Sequence, residues 1–257
     1  RIQYRPMEEL IEAFKHVKEE AARQEADRWK KEAVRVMEPS DRTILDACRL
    51  YVHLRSLVEK DGFDAVSIDC LGLLFNPNPI LPYPCLAFAR LRDEGITAAC
   101  EADVCGLISS MFLEKISRKP TFFANVLSVD LDRSSILFSH CVSPLKLMGA
   151  EAAPLPYNLR DYHGMGRGVV PEVRLPLGVD MIAGSFSKDL KSFILWPGKT
   201  QAPELSRSAA AMPSTFRRME CANNVQLRID DAAGFMQNIP GIHCVLAAFG
   251  YSRAIRD

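Results

Sequence analysis

The chain has 257 residues, enough for one large or two ordinary domains, with the 48% hydrophobic and 25% charged content of a globular protein. Its 32 basic and 32 acidic side chains are spread along the sequence, which leaves no electrostatic footprint for nucleic acid or an acidic membrane surface. No apolar run approaches the roughly 18 residues of a membrane span.

Met7, Leu10, Ile11, Phe14 and Val17 recur at helical spacing, so residues 6–37 read as one amphipathic helix. Pro39-Ser40-Asp41 breaks it, and the Ser40 hydroxyl is placed to cap a second helix that ends near Gly62. Ala65–Ile68 is a short buried strand, and the prolines between Phe75 and Pro84 demand a loop. Cys85–Glu94 reads as helix, Ile96–Cys100 as strand, Val104–Ile116 as helix and Phe122–Val126 as strand. That alternation is the pattern of an open, mostly parallel α/β sheet, to which Ile136–His140 adds an antiparallel strand.

After Met148 short alternating segments replace long helices. Gly168–Leu175, Val179–Phe186, Ser192–Trp196 and Asn224–Ile229 read as strands, with turns at Pro176-Leu-Gly178 and Pro197-Gly198 and a loop over 201–215. The expected fold is therefore α/β. Residues 1–148 form the sheet domain with its leading helices, and 149–235 a smaller β-barrel-like domain. Residues 236–257 are a return strand packing on the first domain, then the start of a helix. Because the chain opens on Arg1 and closes within what reads as an unfinished helix, it is expected to be part of a longer protein. Cys48, Cys70, Cys85, Cys100 and Cys244 lie in apolar patterns and read as reduced, buried thiols of a cytoplasmic protein, although an export signal on a longer precursor would be invisible here.

In an open α/β sheet ligands gather at the carboxyl ends of strands, which singles out Asp69, Glu101 and Asp103. Asp103 precedes a helix and is equally suited to cap it, and its two oxygens allow both roles. His243 opens a strongly apolar strand, where a lone histidine is more often a hydrogen-bonded core residue than a ligand. If the carboxylates and this imidazole met, they would suit a hard or borderline divalent ion such as Mn²⁺. His140 and Cys141 are adjacent in a strand and face opposite sides, so they do not form a pair, although His140 could line a pocket. His163, in a glycine-rich segment at the mouth of the β domain, could donate hydrogen bonds to a polar ligand.

Residues 84–103, PCLAFARLRDEGITAACEAD, resemble the segment of the L-fucose/L-arabinose isomerase family that carries its metal-binding aspartate. Phe138-Ser-His-Cys141, Tyr157–His163 and the stretch GIHCVLAAFG over 241–250 are similar, in the same order, to later segments of that family. The resemblance implies an aldose–ketose isomerase working through an enediol, with Mn²⁺ on Asp103 and His243 and a homo-oligomer around a carbohydrate substrate. Asp103, Asp69 and Glu101 would be the catalytic carboxylates, and His163 and His140 the substrate-binding residues. It also implies a glutamate in the loop after the first strand, where this chain has Leu73. That departure keeps open a second reading, a catalytically altered carbohydrate-binding or oligomeric scaffold of the same fold.

Overall fold

The computed structural model describes residues 1–74, 81–203, 221–239, 241 and 243–249. The expected proline loop over 75–80, most of the expected 201–215 loop and the expected terminal helix lie outside them.

The first long helix is two, α1 (Met7–Lys15) and α2 (Glu19–Glu32), followed by a short strand β1 (Arg35–Val36). The break has a physical reason. The Arg49 guanidinium, only 9% exposed, donates to the carbonyls of Phe14 (3.2 Å) and Val17 (3.0 Å), which an unbroken helix would have used internally. Helix α3 (Asp41–Asp61) is capped as expected, the Ser40 hydroxyl accepting from the Thr43 amide at 3.1 Å and Gly62 closing it at φ 67°.

Strand β2 (Ala65–Ser67) leads into a short helix α4 (Cys70–Leu74), then come α5 (Cys85–Asp93), β3 (Thr97–Ala99) and α6 (Val104–Ser117). β2 and β3 pair in parallel, and among the described residues that two-stranded ribbon is the whole of their sheet. The open parallel sheet is thus much smaller than the alternation of elements predicts.

Most strands enter a closed antiparallel barrel instead. It contains β4 (Phe122–Asp130), β5 (Ser135–His140), β8 (Asp180–Phe186), β9 (Phe193–Gln201), β10 (Asn223–Ile229) and β11 (His243–Ala248), in the order β10-β5-β4-β11-β8-β9. β4 and β5, expected beside the parallel strands, are barrel staves. β11 runs between β4 and β8. Pro197-Gly198, expected as a turn, lies inside β9. Proline is tolerated there because β10 pairs with β9 only from Gly198 onward, and at Gly198 a Cβ would run into the Arg228 carbonyl. β6 (Tyr157–Asp161) and β7 (Val169–Val173) join β1 in a separate three-stranded sheet.

Strand alternation divides the interior in two. Phe122, Ala124, Cys244 and Leu246 face the barrel core, which Phe235 of α7 (Ala232–Asn238) completes. Phe123, Val245 and Ala247 face outward into the core shared with the helices. Arg92, 1% exposed, ties that seam together by donating to the carbonyls of Ala98 and Thr121 (both 2.6 Å) and pairing with Glu114 at 3.3 Å. It fixes β3, α6 and the entry to β4 relative to α5, and so positions the turn that carries the acids.

Candidate active site

The chain leaves β3 at Ala99 and must turn sharply into α6. It does so with two consecutive non-glycine residues in the left-handed region, Glu101 at φ 64° and Ala102 at φ 51°. Each such residue costs on the order of 1–2 kcal/mol, and strain of this kind persists only where surrounding contacts impose it. Here the Ala102 amide donates to the Ile68 carbonyl at 3.1 Å and the Asp103 amide to Cys100 at 3.2 Å, while the Glu101 amide meets Cys70 Sγ at 3.3 Å.

Asp103 fills its expected capping role, and its other oxygen, expected on a metal ion, meets His243. Oδ1 accepts from the Gly106 amide at 2.9 Å and caps α6, and Oδ2 accepts from His243 Nδ1 at 2.8 Å. Burial pushes its carboxyl up, but His243 and the two amides of the α6 first turn outweigh that and hold it below the ordinary value. With Nδ1 directed at Asp103, Nε2 is the ring nitrogen turned toward Glu101. That atom is buried, has no hydrogen-bond partner among the described residues, and stands 3.5 Å from Glu101 Oε2.

Glu101 also faces His140, whose Nε2 lies 3.7 Å from Oε1. That is longer than a formed hydrogen bond. His140 is the main cause holding the Glu101 carboxyl below its usual range, with burial opposing. Burial lowers the His140 pKa, so the ring is neutral near pH 7. Its Nδ1 accepts from the Val142 amide at 3.5 Å, which puts the remaining proton on Nε2, facing Glu101. The Phe123 ring covers both imidazoles, 4.4 Å from His243 and 5.2 Å from His140 between centroids.

Glu101, His140 and His243 offer ligand atoms within 4.8 Å of one another. Ligands of one ion at bond lengths of roughly 2.0–2.2 Å stand about 3–3.5 Å apart, so Glu101 Oε2 and His243 Nε2 fit a divalent cation. His140 fits less well, because a metal on Nε2 would need a proton on Nδ1, against the Val142 N–H.

The structure brings together Glu101, Asp103, His140 and His243. Asp69 turns away, its carboxylate accepting from the Gly72 amide at 3.0 Å at the start of α4. His163 lies elsewhere, 3.4 Å from Cys141 Sγ. Leu73, where the resemblance implies a glutamate, is 3% exposed in the apolar core. Phe123 had no signal in the sequence beyond its place in an apolar strand.

No family model matches the chain. Sulfoquinovose isomerases do resemble it. The protein of that name from Priestia aryabhattai is 23% identical over 137 residues, 52% of this chain and 30% of its own length. The one from Clostridium sp. (strain MSTE9) is 33% identical over 95 residues, 36% of this chain and 20% of its own. That from Alkalicoccus urumqiensis is 24% identical over 148 residues, 56% and 33% respectively. The chain thus spans about a third or less of the curated relatives it matches. These relatives are sugar isomerases, and they do not single out the L-fucose branch. Among the described residues no helix is long and apolar enough to cross a membrane.

Proposed function

We propose that this chain supplies the metal and proton-transfer residues of a divalent-cation-dependent aldose–ketose isomerase. The single observation that carries the reading is the buried Nε2 of His243, without a hydrogen-bond partner among the described residues, aimed at Glu101 and backed by Asp103. A carboxylate holding the far nitrogen of an imidazole fixes its tautomer for ligation. In this proposal Glu101 and His243 hold the ion, and Asp103, expected as a ligand, instead orients His243. One carboxylate and one imidazole suit a borderline or hard ion, for which Mn²⁺ is the first choice. Remaining positions would be filled by sugar oxygens and by groups from outside the described residues or from a neighbouring subunit.

The ion, when bound, polarises the carbonyl and hydroxyl oxygens of the open-chain sugar. Glu101 is ionised at neutral pH and has its second oxygen turned to His140. It takes the proton from the carbon beside the carbonyl and returns it to the neighbouring carbon, through an enediol. His140 donates a hydrogen bond from Nε2 to the sugar oxygens while the hydroxyl proton passes from one of them to the other, so the ring ends in the state in which it began. Positioned proton transfer of this kind contributes roughly 10²- to 10⁴-fold. Glu101 thereby takes over the work that the family assigns to the position now held by Leu73.

The names of the relatives make sulfoquinovose the first substrate to test. The full-length protein incubated with it and Mn²⁺ in D₂O is expected to form the ketose and to incorporate deuterium at the transferred position, with Glu101→Gln slower by at least 10²-fold. The buried Leu73 favours the second reading, sugar binding without turnover. Sugar binding by a protein that shows neither ketose nor exchange with any aldose would establish it.

A further inference from the structure

We propose that Cys141, His163 and Cys221, with Cys85 behind them, form a second metal site, selective for Zn²⁺ and independent of the isomerase reading. The ligand atoms of the first three lie within 4.8 Å of one another, and Cys141 Sγ is 3.4 Å from His163 Nε2. A tetrahedral zinc with Zn–S of about 2.3 Å and Zn–N of about 2.0–2.1 Å separates sulfur from nitrogen by about 3.5 Å and sulfur from sulfur by about 3.8 Å. The observed spacing needs only small side-chain movements to match. Cys85, 3% exposed at the start of α5, lies in the same apolar core as Cys141, and the fourth position of a tetrahedral ion is left to it or to a water.

Four separate parts of the chain meet here: the start of α5, the residue after β5, the β6–β7 turn and the residues entering β10. His163 reaches the cluster from a left-handed backbone at φ 50°, followed by Gly164 at φ 72° and Gly166 at φ 64°. Each thiol that ligates releases one proton to solvent, and no change of oxidation state is involved. Thiolates with an imidazole select Zn²⁺ over the oxygen-seeking ions suited to Glu101. Cys141 follows His140 directly, so an ion at this place would also hold the end of β5 and the aim of His140.

The test is Co²⁺ replacement and zinc analysis of the full-length protein purified without chelators. One equivalent of zinc is expected, exchangeable for Co²⁺ that shows a thiolate-to-metal charge-transfer band, which the Glu101–His243 site cannot produce. Cys141→Ser and Cys221→Ser should each lose more than tenfold in zinc affinity, and His243→Ala should keep it. If the cysteine variants do not fold, organomercurial titration of the unaltered protein should release the zinc in step with thiol modification. Zinc content and band unchanged in Cys141→Ser, absence of any thiolate band, or a Cys141–Cys221 disulfide in the non-reduced peptide map would each overturn the proposal.

Discussion

Replacing Gly106 with alanine puts a methyl group where the helix cap, the histidine and the barrel wall meet. The added Cβ would stand 2.7 Å from Asp103 Oδ2 and closer still to the Phe123 ring. The Phe123 ring, 1% exposed on β4, and the Asp103 carboxylate both lie in the way, so the first turn of α6 must shift away from both. That movement breaks the Gly106 cap and the 2.8 Å bond to His243 together. Overpacking costs about 1–3 kcal/mol and loss of the cap about 1 kcal/mol, while alanine recovers about 1 kcal/mol of helix propensity. The net loss is about 1–3 kcal/mol, or a fall of roughly 2–10 °C in Tm for a domain of this size. Urea denaturation reads the stability, and Mn²⁺ titration reads the site, whose affinity should drop with it. A variant as stable as the parent, with unchanged Mn²⁺ affinity, would refute the packing argument.

Two further predictions concern the frame around the site. Arg92→Leu strips the half-buried Glu114 of its cation and two buried carbonyls of their donor, and should destabilise by about 2–4 kcal/mol in chemical denaturation. A loss below about 1 kcal/mol would show that the network does not hold the seam. Asp93 is pushed up to about 6, chiefly by burial, although its carboxylate accepts from the Lys146 amide at 2.8 Å. A raised carboxyl pKa means that the folded state holds its proton more tightly, so this group lowers stability as pH rises from about 4 through about 6. Asp93→Asn should therefore raise Tm at pH 7–8 and lose the advantage as pH falls toward 4. An advantage that does not change with pH would contradict this.

The local cap was more legible than the architecture. Asp103 before an apolar helix predicts a cap, and its second oxygen leaves room for His243, which is the arrangement found. Glu101 reaches His243 only because the chain bends left-handed through two residues with side chains, which local preference disfavours. The barrel was hidden because its closure depends on distant antiparallel pairings, such as Leu246 with Phe122 and Ala183. Alternating strands and helices give no sign of that register. The split between α1 and α2 depends on Arg49, 32 residues from the Val17 carbonyl it satisfies. His140 and Cys141 do face different partners, as strand geometry predicts, yet nothing in sequence spacing joins Cys141 to His163 and Cys221.

The most direct test is Mn²⁺ titration of the full-length protein, followed by loss of the free-ion electron paramagnetic resonance signal. The parent should bind one equivalent, His243→Ala and Glu101→Gln should abolish it, and Asp103→Asn, which only loosens the aim of His243, should weaken it about 10- to 100-fold. Undiminished binding in His243→Ala would contradict the site, and a loss in Asp103→Asn as complete as in His243→Ala would make Asp103 a ligand after all.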